Sequence, residues 1–232
     1  MPEKELELGS IVSPLRYDIL VRADFFRFLD TNLDIYHADA AEFLFRARQH
    51  PYFVWFTALA LPREAHPPRG ESEVIMAFWK RLQRTYRLYS AVKAKGFNSD
   101  HPVIIRKPKT VQPTLTGKTV HRDLFVTDGC HRLALMRFLG MTSIPASLYR
   151  IAPVKDPFTP LDNTFPLMRA LRPAPDVYAR FLSESYGRRL VDDLAGLRKD
   201  VAAHRPDQLA EYDSVVAIDS SVLEEGGPCA TS

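Results

Sequence analysis

Asp123-Leu-Phe-Val-Thr-Asp-Gly-Cys-His-Arg132, running straight into Leu133-Ala-Leu-Met-Arg-Phe-Leu-Gly140, decides how this chain reads. Leu124-Phe-Val-Thr127 is a short β-branched and aromatic run bounded by Asp and Gly, which predicts a strand. Ala134, Leu135, Phe138 and Leu139 recur at helical spacing and stop at Gly140, which predicts a helix immediately after it. Ile144-Pro-Ala-Ser-Leu-Tyr149 then reads as a further strand, with Pro145 at its edge or start. Gly129, His131 and Arg132 therefore fall on a strand-to-helix turn. The first N–H groups of a helix have no intrahelical partner and carry the positive end of the dipole, so such a turn is built to receive an anion. Gly129 lets the backbone approach closely, and His131 and Arg132 add donors to the first turn.

Working towards the N-terminus, Val103-Ile-Ile-Arg-Lys107 predicts a strand, joined to the motif by a polar connection, Pro108 to His121, with hairpin character around Gly117. Glu71 to Lys95 is the longest helical pattern. Ile75, Phe78, Trp79, Leu82, Tyr86 and Tyr89 form its apolar face, basic residues occupy much of the rest, and Gly96 ends it. Pro51 to Leu61 predicts a buried aromatic helix, about half the ~20 residues that a membrane span needs. Ala38 to Gln49 and a stretch from about Asp24 are also read as helices. Tyr17-Asp-Ile-Leu-Val21 is read as the first strand, behind a loose acidic leader up to Gly9. Beyond Arg150 the chain is proline-rich to Pro173, with a short helix near Leu167 to Leu171. Helices over Ala174 to Leu190 and Val191 to His204 follow, and tail composition sets in from about Ser220.

With 232 residues and 46% hydrophobic composition the chain can bury a substantial core. A net charge of +3 is too weakly basic to argue for a dedicated nucleic-acid binder, and anionic ligands are compatible with it. The two cysteines, Cys130 and Cys229, build neither a disulfide framework nor a cysteine-rich zinc site. The first residues lack the basic and apolar regions of a secretory leader, so a cytoplasmic location without a transmembrane segment is the default expectation.

Phe125, Asp128-Gly-Cys-His-Arg132, Ala134, Leu139, Ile144-Pro-Ala146 and Leu148 together resemble the core of the ParB/sulfiredoxin superfamily. Sulfiredoxins carry a Gly-Cys-His-Arg turn followed by a helix and an Ile-Pro-Ala strand, and the ParB-like free-serine kinases show Asp-Gly-x-His-Arg; this chain combines the two. The resemblance covers about residues 101–150. It implies an α+β fold with a small mixed sheet, a helical N-terminal insertion and a helical C-terminal extension. The corresponding division is 1–100 for the first strand and insertion, 101–152 for the nucleotide-binding core, 153–219 for the extension and 220–232 for a flexible tail. It also implies a nucleotide pocket in which Gly129, Cys130 through its backbone, His131 and Arg132 hold the phosphates of ATP or ADP.

Each of these residues has a second reading. Cys130 is the position of the sulfiredoxin nucleophile, and a thiol at a helix start beside His and Arg gains thiolate character. It is also a place where a small residue is merely needed. Asp128 replaces the first glycine of the sulfiredoxin turn, where it is expected either to orient Mg²⁺ and accept a hydroxyl proton or to cap the helix. Asp18 aligns loosely with the catalytic acid of the serine kinases, the alternative being a surface ion pair. Arg106, Lys107 and Lys109 either line the pocket mouth or are solvated. Three functions follow. The first is an ATP- or ADP-dependent phosphotransferase, a kinase acting with Mg²⁺ on a small-molecule hydroxyl. The second is a sulfiredoxin-like ATP-dependent reductase using Cys130, and the third a ParB-like nucleotide-switched DNA-binding module, for which no helix-turn-helix is visible.

Overall fold

The computed structural model describes residues 5–68, 70–154 and 157–224. Cys229, the tail beyond Glu224 and the first four residues of the acidic leader lie outside them. The fold is α+β, with helices in the majority and two small sheets. One sheet pairs β1 (Leu6–Glu7) antiparallel with β4 (Ser143–Ile144), Leu6 opposite Ile144. The leader read as loose thus supplies a strand. The other holds β2 (Val103–Lys107), β3 (Phe125–Asp128) and β5 (Tyr149–Pro153) in the order β3-β2-β5. Among the described residues no helix is long and apolar enough to cross a membrane.

The chain divides into two compact units drawn from interleaved stretches. The first comprises 1–8, 18–105 and 126–151, the second 9–17, 106–125 and 152–232. In the first unit the expected strand at Tyr17 to Val21 is helix instead. α1 (Leu8–Ile11) is a single turn; α2 runs Tyr17–Thr31, and Ile19, Val21, Ala23, Phe25, Phe26 and Leu29 are all buried on it. The helix expected from about Asp24 is its second half; before that, burial around most of the circumference removes the one-sided stripe by which a helix is recognised and leaves a β-prone run.

After α2 come α3 (Leu33–Ala38) and α4 (Ala40–Gln49), the latter capped by Asp39, whose carboxylate accepts from Ala41 and Glu42 N–H. The aromatic helix expected at Pro51 to Leu61 is realised in three parts. α5 (Pro51–Trp55) widens into a π-helical turn (Phe56–Ala60), closed by Leu61 N–H on Phe56 O, and tightens into a 3₁₀ turn (Leu61–Arg63). π-turns of this kind concentrate at functional sites. α6 (Glu71–Lys95) has the bounds the sequence predicts, and Gly96 stops it at φ 77°.

Rings fill the core of this unit. Phe25 stacks on Tyr52 with centroids 4.1 Å apart, Tyr52 on Trp55 at 4.8 Å, and Phe78 meets Phe53 and Phe56 at 4.8 and 5.3 Å. α7 (Cys130–Phe138) packs beside α6 and buries Leu133 through Met136. The strand expected over Ile144 to Tyr149 is interrupted. Pro145 ends β4, Ala146–Leu148 form a 3₁₀ turn, and β5 starts only at Tyr149, because proline has no N–H to give to a ladder.

The second unit is built on α8 (Thr164–Leu171), α9 (Pro175–Tyr186), α10 (Leu194–His204) and α11 (Leu209–Glu224), around Leu167, Met168, Phe181, Leu182, Leu197, Val201 and Val215. α11 carries on through the stretch read as tail from Ser220, as far as Glu224. The connection 108–121 forms no hairpin. Gly117 turns at φ 88°, Thr114 N–H donates to Lys118 O, and Val111 makes an isolated parallel bridge to Phe158. Lys118, Asp162, Asp219 and Tyr178 form a buried polar cluster within the unit.

Candidate functional site

The turn between β3 and α7 is made as the sequence requires. Gly129 is the N-cap residue at φ 80°, a left-handed conformation, and a Cβ there would lie 3.0 Å from Val103 Cα and 3.0 Å from Arg132 Nη2. Glycine is needed both for the backbone angle and for the space. Gly129→Ala is accordingly expected to cost about 1–2 kcal/mol from backbone strain alone, measured as a lower urea midpoint. Asp128 does not cap α7. Its Oδ1 turns back to accept the Gly129 N–H at 2.6 Å, and it stays exposed at the rim of the turn. Arg132 folds over Gly129 and donates from Nη2 to Pro102 O at 2.9 Å.

A cleft of about 510 Å³ opens over this turn, all of it within the first unit. Asp128, Gly129, Cys130, His131 and Arg132 line it from the motif side. Arg22 of α2, Trp55 of α5, Ala60, Arg63 and Glu64 after it, and Arg81 and Leu88 of α6 complete the wall. Four arginines thus face two carboxylates, Glu64 and Asp128. Arg106 and Lys107, expected at the pocket mouth, are exposed at the end of β2 and are not among these lining residues.

Arg22 and Trp55, which the sequence reading did not assign to the site, are the most telling, and Asp18, which it did, is buried beside them. Asp18 and Arg22 are four apart on a helix, not on a strand, and pair at 2.8 Å with the carboxylate fully buried. Asp18 therefore holds Arg22 in place and is not open to a substrate. The Arg22 guanidinium lies 4.3 Å from the centre of the Trp55 ring. Arg22 and Trp55 are 7% and 3% exposed, yet Arg22 Nε and Trp55 Nε1 have no hydrogen-bond partner, and neither has Arg132 Nε. A buried polar group without a partner costs about 1–3 kcal/mol. Here three such groups belong to residues that line one cleft, and all three are donors, so the ligand this wall fits is an acceptor-rich anion. The N–H groups opening α7 add to the same field.

His131 does not point its ring at that anion site through Nε2, which lies 2.8 Å from Tyr52 Oη. Burial, with Arg22 and Arg81 nearby, holds its pKa well below the usual imidazole range, so the ring is neutral at pH 7. Cys130, half-buried, occupies the first position of α7 in the cleft wall. Among the described residues no three His, Cys, Asp or Glu side chains converge as a metal cage. A Mg²⁺ arriving with phosphates needs only one or two carboxylates, which Asp128 fits.

Family models, curated proteins and solved structures give no match to this chain.

Proposed function

We propose that the protein is a nucleotide-dependent phosphotransferase that moves a phosphoryl group from ATP or ADP to the hydroxyl of a small molecule. The observation that carries this reading is that three residues lining the cleft over the N-terminus of α7, Arg22, Trp55 and Arg132, each hold a buried donor without a partner, Nε, Nε1 and Nε. Phosphoryl transfer asks for positioning and charge neutralisation more than covalent chemistry, and a cleft lined by four arginines offers both. In this reading Arg22, Arg132 and the amides of α7 hold the phosphates, and Asp128 is the carboxylate available to Mg²⁺. When bound, the metal would neutralise charge on the transferring group. A second cleft of about 530 Å³ shares Glu64 and Arg81 with the first. The likeness of Asp128-Gly-Cys-His-Arg132 to the ParB/sulfiredoxin turn supports the same assignment.

Calorimetric titration with ATP, ADP and adenosine in the presence of Mg²⁺ tests the site. ATP and ADP are expected to bind and adenosine to fail, and equal binding of all three would overturn the reading. At about 100 Kd of ligand the expected stabilisation is about 2.7 kcal/mol. Transfer from terminally labelled ATP to a panel of hydroxyl metabolites then tests the reaction. The position of Cys130 in the cleft wall favours one alternative, the sulfiredoxin-like reductase. Cys130→Ser separates the two, since phosphoryl transfer survives it and a thiol-dependent reduction does not.

A further inference from the structure

The side chain of His131 belongs to a hydrogen-bonded chain that the phosphate reading leaves unused. Its Nε2 is 2.8 Å from Tyr52 Oη, Tyr52 Oη is 3.0 Å from Thr85 Oγ1, and Thr85 Oγ1 is 3.0 Å from the carbonyl oxygen of Arg81. The chain ends on a group that can only accept. Thr85 and Tyr52 each own one hydroxyl proton. If Thr85 gives its proton to Arg81 O, Tyr52 gives its own to Thr85, and the bond between Tyr52 and His131 must be donated by the ring. All three contacts are then satisfied by three protons. In the reverse order Thr85 donates to Tyr52, Tyr52 donates to Nε2, and the contact between Thr85 and Arg81 O is lost. The first arrangement makes one more hydrogen bond and places the ring proton on Nε2.

The ring is also held from its sides. Trp55 meets it edge-on at 5.3 Å and 77°, and Tyr52 at 6.1 Å and 85°. Nδ1 has no hydrogen-bond partner among the described residues, and His131 is part of the cleft wall.

We propose that His131 is the proton acceptor of the reaction: Tyr52 fixes the Nε2–H tautomer, and Nδ1 presents its lone pair to the substrate hydroxyl in the cleft. This rests on the phosphotransferase reading above and supplies its missing base, since Asp18 is buried against Arg22. It also revises the motif's expectation for the side chain. A lone pair repels a phosphate oxygen and attracts an O–H, so the His131 ring selects an acceptor that carries a hydroxyl, while phosphates go to the arginines. In the transfer step the hydroxyl O–H bond breaks and its proton passes to Nδ1. The oxygen forms a bond to the terminal phosphorus of ATP. The bond from that phosphorus to the bridging oxygen breaks, and ADP leaves with the electron pair.

The groups facing the ring set its protonation. Arg22 on α2 and Arg81 on α6 oppose a proton there, as burial does, and Asp18 on α2 favours one. Tyr52 on α5 keeps its own proton, burial having raised its pKa. Arg63, Glu64, Asp128, Cys130 and Arg132 share the cleft wall. Phosphates arriving at Arg22 would offset the positive charge that depresses the ring, so basicity rises when the nucleotide is in place.

Long-range proton–nitrogen spectra of the full chain labelled with ¹⁵N-histidine test the tautomer without nucleotide. The expected result at neutral pH is a single His131 signal with Nε2 protonated and Nδ1 bare. Its titration midpoint should lie below about 6.5, and Tyr52→Phe should lose the tautomer preference. A ring protonated on Nδ1, or on both nitrogens, at pH 7 would overturn the proposal. With ATP bound, His131→Gln is expected to lower kcat by about 10²–10⁴-fold with the affinity for ATP nearly unchanged. Loss of ATP affinity with kcat retained would make the ring a phosphate ligand and overturn the base assignment. The two failures are distinct: a wrong tautomer sinks the base while ATP binding stands, and absent ATP binding sinks the phosphotransferase reading and the transfer step with it.

Discussion

Lys118→Met is expected to destabilise the protein by about 3–5 kcal/mol, the largest loss of any single change considered. Lys118 is fully buried in the second unit, with its ammonium on Asp219 Oδ1 and 3.3 Å from Asp162 Oδ2. Tyr178 donates its hydroxyl to the other Asp219 oxygen. Thr116 donates to Asp162 Oδ2 at 2.6 Å, and the N–H groups of Thr164 and Phe165 donate to Asp162 Oδ1. Every acceptor in the cluster has a donor, and one ammonium faces two carboxylates. Methionine fills most of the lysine volume, so little of the loss would come from a cavity. What remains is two carboxylates out of water with their cation gone. Against a total stability of about 5–15 kcal/mol, the change should be plain in urea denaturation followed by circular dichroism.

Asp219→Asn should cost less than Lys118→Met. Burial, stronger than the pull of Lys118, raises the pKa of Asp219, so part of the burden at neutral pH is the charge itself. The sign follows from proton linkage. In the window above about 3.8 the folded state holds this proton more tightly than the unfolded chain. The stability contributed by Asp219 is therefore fully present at low pH and lost as pH rises through the folded pKa. Asp219→Asn removes that decline. A mutant whose stability falls with pH as the wild type's does would show that another group is responsible.

How much of this was legible depends on where each signal lies along the chain. The strand Val103–Lys107 and the helix Glu71–Lys95 could be read because their patterns are complete within themselves: a β-branched run, and an amphipathic stripe stopped by a glycine at positive φ. The motif turn could be read for the same reason, since Gly129 must adopt φ 80° and the helix starts beside it. α2 could be read only in its second half, from Asp24, because Tyr17 to Val21 favours a strand locally and burial on most sides there erases the helical stripe. In that first half the one helical cue was the four-residue spacing of Asp18 and Arg22, which also reads as a surface pair. Half of the cleft was hidden for a different reason. Arg22, Trp55, Arg63 and Arg81 lie about 50 to 110 residues before the motif in sequence, and only tertiary packing brings them to its mouth. Trp55 looked like core, and Arg81 like one solvated cation among many on α6.

Arg22→Lys and Arg132→Lys are each expected to weaken binding of ATP, and of inorganic triphosphate, by about 10- to 100-fold, the 1.5–3 kcal/mol typical of a hydrogen bond to a charged group. The substitution is chosen because it keeps the charge. Lysine retains the attraction for an anion but loses the planar fork and, above all, the Nε donor that is buried and unpartnered in each arginine. At position 22 the ammonium can still answer Asp18, so the fold is spared an orphaned carboxylate, although stacking on Trp55 is reduced. At position 132 it can still reach towards Pro102 O. If long-range charge alone drew the phosphates, both variants would bind almost as wild type does, with the same steep dependence on salt. If the Nε donors hold the ligand, affinity falls at every salt concentration. Trp55→Phe tests the third donor, since it keeps an aromatic ring under Arg22 and removes the indole N–H together with the second ring of a buried side chain. The double variant Arg22→Lys, Arg132→Lys completes the argument. Two residues on one phosphate should couple, with a combined loss that departs from the sum of the single losses, whereas residues acting on separate ligands would add.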